Sequence, residues 1–234
     1  MTHPRSRTAL TALTALLFGF APWAHACRPA PEPLAAATAE AFATLAAAQA
    51  AIDPNDIDYA LLTEAVFHET NERRLAHGRT ALAHLRKLDK AACVHAEAMI
   101  EEDFFAHRNP RHPDRATPLD RVQNQGLHVG YVAENIAQVF ALAYDPGTPV
   151  YPRRQNGRTV YSRKPGGQPL GTRSYLSLAT ALLDEWMHSP PHRKNILSEQ
   201  PDYLGAGCQL GAKNELGMPM FDCVQVFFAP LRAR

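Results

Sequence analysis

Three segments of this 234-residue chain carry side chains that could do chemistry. Phe104-Phe105-Ala106-His107 sets a histidine behind two aromatics. Ala133-Glu134-Asn135-Ile136-Ala137 holds a carboxylate inside an otherwise apolar run. Trp186-Met187-His188-Ser189-Pro190-Pro191-His192-Arg193-Lys194-Asn195-Ile196-Leu197 passes through two prolines into a short turn. An ionised glutamate in apolar surroundings is costly unless it is paired or coordinates something. A histidine from another segment is its natural partner, and the contact would polarise the ring. Other motifs fail. His68-Glu69-x-x-Glu72 lacks the second histidine of a zinc-protease helix, and His95-Ala96-Glu97 is not followed by the P-C-x-x-C of a deaminase. There is neither a G-x-S-x-G elbow nor a phosphate-binding glycine loop.

The elements that must position these groups are mostly helical. Leu62, Val66, Glu69 and Arg73 follow helical spacing from Tyr59, with Gly78 as the stop. A second helix is expected from Asp89, as its cap, to Glu102, with Leu88, Ala92, His95, Ala96 and Met99 on one face. Thr117-Pro118-Leu119-Asp120 reads as a capping box with proline at the first helical position, and Leu119 and Val122 supply its apolar face. A longer helix covers Ser174 to His188, and a helical turn follows at Arg193 to Leu197. The period then becomes two: Tyr203–Leu210 and Met220–Phe228 read as strands around a turn holding Gly211, Asn214 and Gly217. Cys208 and Cys223 would face each other across that hairpin as a disulfide. Cys27 and Cys93 remain; they could pair, and sequence leaves that open.

Residues 1–26 read as a signal peptide. Arg5 and Arg7 precede the apolar run Ala9–Phe20, and Ala24-His25-Ala26 offers a cleavage site. Twelve apolar residues are too few to span a bilayer, and the mature chain holds no longer run. Cys27 would then be N-terminal, either lipid-modified as an anchor or simply exported; Ala24 stands where a lipobox usually has leucine. Residues 27–58 form an Ala/Pro-rich linker or N-terminal extension, and 59–230 form one domain. Within it, residues 141–175 are an inserted loop of net charge +5. The whole chain carries +1, the mature chain −1, and nucleic-acid binding is excluded as a bulk charge effect. The insert reads as a solvated basic loop, with contact to an anionic partner such as a lipid surface or glycan as the alternative.

Taken together, the segments FHETNERRLAHG, HAEAMIEEDFFAH, AENIA, WMHSPPHRKNIL, LGAGC and VQVFF are specific. From Val66 to Phe228 the chain resembles the CAP superfamily (cysteine-rich secretory, antigen 5, pathogenesis-related 1), in its bacterial secreted branch. The resemblance implies an α+β fold, a three-layer α-β-α sandwich around a small, mainly antiparallel sheet. It also implies a surface groove centred on His107, Glu134 and His192. A second acid, present in many eukaryotic members, is here Ser189, as is common in the bacterial branch. Ala133 and Pro191 replace glycines usual before the acid and the second histidine, and the basic insert should overhang or flank the groove. His107, Glu134 and His192 could hold zinc or another divalent cation with a position left open. With the second acid absent, a hydrogen-bonded cluster without metal is the preferred reading, and no cofactor is required.

The implied function is a periplasmic or extracellular binding domain without enzymatic activity. Its partner would be a lipid, another apolar or anionic ligand, or a protein. One alternative is a hydrolase using Ser189, His192 and Glu134, which hold the residue types of a nucleophile, base and orienter. The other is a structural envelope module tethered through Cys27.

Overall fold

The computed structural model describes residues 38–232. The expected signal peptide, and Cys27 with its anchor or disulfide, lie outside the described residues. In chain order the elements begin with α1 (Ala39–Ala43), α2 (Ala46–Gln49), α3 (Tyr59–Ala76), β1 (Ala83–His84), α4 (Arg86–Glu101) and α5 (Pro118–Gln123). Then come β2 (Val129–Phe140), β3 (Tyr151–Gln155), β4 (Arg158–Ser162), α6 (Tyr175–His188), α7 (Pro190–Ile196), β5 (Tyr203–Lys213) and β6 (Pro219–Pro230). The main sheet has the order β1-β5-β6-β2; only the short β1–β5 pair is parallel. Helices α3 and α6 cover one face through a core including Leu62, Val66, Leu182, Trp186 and Phe227. Helix α4 covers the other with Leu88, Ala92 and Met99 on Val224, Val226 and Phe228, and α5 joins that layer through Val122. This is the α-β-α sandwich, and the strand period of two decides which side chains reach which layer.

Small residues bring α4 onto the sheet. A Cβ at Gly205 would lie 2.4 Å from Leu88 Cβ, and one at Gly207 would lie 2.5 Å from the Cys93 nitrogen. Cys208 and Cys223 are directly opposed in register and form the expected disulfide. Cys93 is disulfide-bonded too.

Several local expectations need correction. Asp89 does not cap α4, whose N-cap is Leu85 without a side-chain bond. Its carboxylate instead accepts from the Ala206 amide of β5 at 3.0 Å and pairs with His84 at 2.7 Å. Leu119 is exposed while Val122 is buried, because a six-residue helix has no room for a stripe. Gly211 lies inside β5, not in the turn. In the stretch read as linker or extension, Phe42 is fully buried and stacks on His68, and Ala48 and Ile52 join the same core.

The basic insert is not a plain loop. β3 and β4 pair as a hairpin with Asn156-Gly157 at its tip, φ +49° and +76°. Two successive positive φ values are those of a type I′ turn, for which Asn-Gly is the preferred pair. The bridges Leu142↔Thr172 and Ser162↔Pro169 close its base.

Candidate functional site

Glu134 points from β2 toward the layer of α4 and α5, on the same face as Ile136. It is 7% exposed, and both its oxygens are engaged. His107 Nδ1 donates to Oε1 at 2.9 Å, and Arg121 Nη2 donates to Oε2 at 2.6 Å. Arg121, 3% exposed, comes from α5, whose Thr117–Asp120 capping box and N-terminal Pro118 fix the helix start. The same guanidinium donates to the carbonyls of His107, Arg115 and Ala116. Arg121 therefore neutralises the buried carboxylate and ties the loop carrying His107 down onto the strand. A buried ion pair is tolerable only with such additional hydrogen bonds.

His95 of α4 braces that loop from behind. Its Nε2 lies 2.9 Å from the Ala106 carbonyl and must carry the proton, since a carbonyl only accepts. Burial first, then the charge of Arg121, pushes its pKa down to about 4, so the ring is neutral at physiological pH. His107 itself has a side chain 50% exposed. With Nδ1 held by Glu134, its Nε2 edge is the one turned outward. His192 on α7 is lowered by burial first and then by the nearby charge of His107.

Helix α7 is held against β2 by amides. Asn195 Nδ2 donates to the Glu134 carbonyl at 3.3 Å and to Asn135 Oδ1 at 2.9 Å. Asn135 Nδ2 in turn meets the His192 carbonyl at 3.2 Å and Gln225 Oε1 at 3.1 Å. Gln225 Nε2 donates to Thr70 Oγ1 on α3 at 2.6 Å. Four side chains thus link α7, β2, β6 and α3, and His192 inherits its place from them. Asn135 and Asn195 stand inside the motifs named from the sequence, but none of the four was given this bracing role, nor were Arg121 and His95. The available signal was amides standing inside apolar strands, at Asn135 of AENIA and Gln225 of VQVFF.

Ser189 ends α6 and begins α7, and its hydroxyl does not cap the helix. Among the described residues no hydrogen bond joins it to His192 or Glu134. The donor set also argues against metal. One Glu134 oxygen already faces the Arg121 guanidinium and the other the His107 ring, so neither is a free donor as placed. Among the described residues no group of three or more His, Cys, Asp or Glu is arranged to hold a metal ion.

A cavity of about 750 Å³ runs along α6, between the end of β2 and the base of the basic insert at Tyr144, Asp145 and Arg173. None of the four candidate residues lines it. A second cavity, of about 600 Å³, lies on the α4 face beside Phe104 and Phe105. Among the described residues no helix is long and apolar enough to cross a membrane.

The model of the family described as "CAP: Cysteine-rich secretory protein family" matches residues 67–227. Among curated proteins none matches the chain. In structure the chain is similar to an extracellular protein containing a SCP domain from Bacillus anthracis, at 22% identity and a TM-score of 0.44. That match covers 72% of this chain and 40% of the other. It is also similar to an outer surface protein from Borrelia burgdorferi, at 16% identity and a TM-score of 0.45, covering 75% and 97%.

Proposed function

Since the chain belongs to the CAP family of cysteine-rich secretory proteins, we propose that it is an exported binding domain rather than an enzyme. Its ligand, a lipid or another apolar or anionic molecule, or a protein partner, is received at the surface formed by His107, Glu134 and His192. The observation that carries this reading is the engagement of Glu134. A carboxylate clamped between an imidazole and a guanidinium is spent as a positioning group, and the half-exposed His107 is what it positions. Among the described residues no hydrogen bond joins the Ser189 hydroxyl to His192 or Glu134, which weighs against the hydrolase. Export is supported by the Cys208–Cys223 disulfide, since such bonds persist in oxidising compartments.

The test is native mass spectrometry of the exported protein with lipid extraction, wild type against a His107→Ala/His192→Ala variant. A bound species in the wild type that the double variant loses is expected. Two empty proteins, or equal loading of both, would overturn the reading. A serine-directed fluorophosphonate that labels Ser189 in folded protein would overturn the non-enzymatic part.

A further inference from the structure

One carboxylate on the α4 face of the sheet has no counterpart in the site above. Gln138, Asp222 and Gln209 are register partners across β2, β6 and β5, and they form a polar row at the end of that face. The next row inward is Ile136, Val224 and Gly207, and it is apolar. Asp222 is 2% exposed, and the hydrogen bond it receives comes from Gln138 Nε2 to Oδ1 at 2.9 Å. No lysine, arginine or histidine among the described residues pairs with it, and its second oxygen has no such donor. Burying a carboxylate with one neutral donor is expensive, and burial raises its pKa to about 6.

Asp222 is not sealed in. With Gln138 it lines the cavity of about 600 Å³ beneath the end of α4. Met99 and Ile100 give that cavity apolar walls, and the following turn contributes Asp103, Phe104 and Phe105. Phe105 leaves 45% of its surface exposed, which is a large apolar residue turned outward without a packing reason. Asp103 holds the positive φ of +52° that turns the chain here. Lys213 stands exposed on the strand side of the opening and makes no ion pair with Asp222.

A carboxylate inside, apolar walls long enough for an alkyl stem, and an aromatic ring at the opening are complementary to one chemistry. We propose that this cavity is a second binding site, which takes a guanidinium or primary ammonium on an alkyl stem, as in an arginine or lysine side chain of a protein partner. Asp222 is the counter-ion, Gln138 holds its Oδ1 so that Oδ2 receives the cation, and Phe105 contributes a ring face to the stem or the charge. The site is distinct from the His107–Glu134 surface and does not depend on what that surface binds.

The experiment is an NMR titration of the folded protein with N-acetyl-arginine amide, and with N-acetyl-citrulline amide, its uncharged near-isostere. The arginine probe should shift the backbone resonances of Gln138, Asp222 and Phe105, and citrulline should bind at least about tenfold more weakly. Affinity should fall about tenfold from pH 7.5 to pH 5 as Asp222 takes up its proton. Asp222→Asn keeps the shape and should abolish binding, while Phe105→Ala, at an exposed position, should weaken it without disturbing the fold. Equal binding of the two probes, undiminished binding by Asp222→Asn, or an arginine titration that moves none of these resonances would each overturn the assignment.

Discussion

Glu134 meets two partners of opposite exposure, an imidazole half in solvent and a guanidinium buried as deeply as itself. The consequence of removing each is therefore different. Arg121→Met leaves a buried carboxylate with no compensating charge and cuts the bonds that hold the His107 loop. Breaking one partner of a buried pair costs about 3–5 kcal/mol, and urea unfolding at neutral pH should show a loss of that size. Adding Glu134→Gln to Arg121→Met should recover part of it, because the orphaned charge is gone. Ser189→Ala should move stability by less than about 0.5 kcal/mol in the same measurement, since its hydroxyl caps nothing. At this scale the sequence showed Glu134 and His107 readily, as a carboxylate in an apolar run and a histidine after two aromatics. Arg121 was hidden. Its helix, PLDRVQ, is too short for a stripe to distinguish an inward arginine from a solvated one.

Packing between elements explains why the site keeps its shape. β5 approaches α4 closely because Gly205 and Gly207 have no Cβ, and the nearest atoms at Gly207 are helix backbone, which cannot swing away. Gly207→Ala should therefore force α4 outward, with a cost at or above the about 1–3 kcal/mol typical of overpacking. His95 rides on that helix and braces the His107 loop, so the His107 ring resonances should broaden or shift in the same variant. Local chemistry made some elements legible: the Thr117 box, the helix from Ser174 and the two C-terminal strands all carry short-range signals. Where the deciding contact is remote, the reading failed. Asp89 has the chemistry of a cap, yet its carboxylate is drawn to the Ala206 amide and to His84, both distant in the chain or outside the helix. The insert failed for another reason. Its prolines and glycines read as loop, although Asn156-Gly157 between Tyr151–Gln155 and Arg158–Ser162 is itself a hairpin signal.

Over the whole molecule, two buried groups of opposite kind give stability a pH dependence that each conceals in the other. His95 has a folded pKa near 4 against an ordinary 6.5, so between those values the unfolded chain holds the extra proton. Its contribution makes stability rise with pH across that window, and acid removes it. Asp222 has a folded pKa near 6 against an ordinary 3.8, so there the folded state holds the extra proton. Its contribution is fully present below pH 3.8 and is lost as pH rises through 6. A shift of two units or so is worth at most about 3 kcal/mol in either case, so the opposing slopes nearly cancel between pH 4 and 6. Breaking the balance on one side exposes the other. His95→Gln retains a donor for the Ala106 carbonyl but cannot titrate, so its stability relative to wild type should decline as pH rises from 4 to 6.5 only by the loss of the His95 slope. Asp222→Asn should do the reverse, gaining on wild type across the same range. Burial also raises Glu64, and His84 is raised by its carboxylate partners against that burial, but both are common to all three proteins and subtract out. Denaturant midpoints at half-unit pH steps would measure the two differences. Parallel curves for wild type and both variants would mean that neither group is held in the protonation state its surroundings impose.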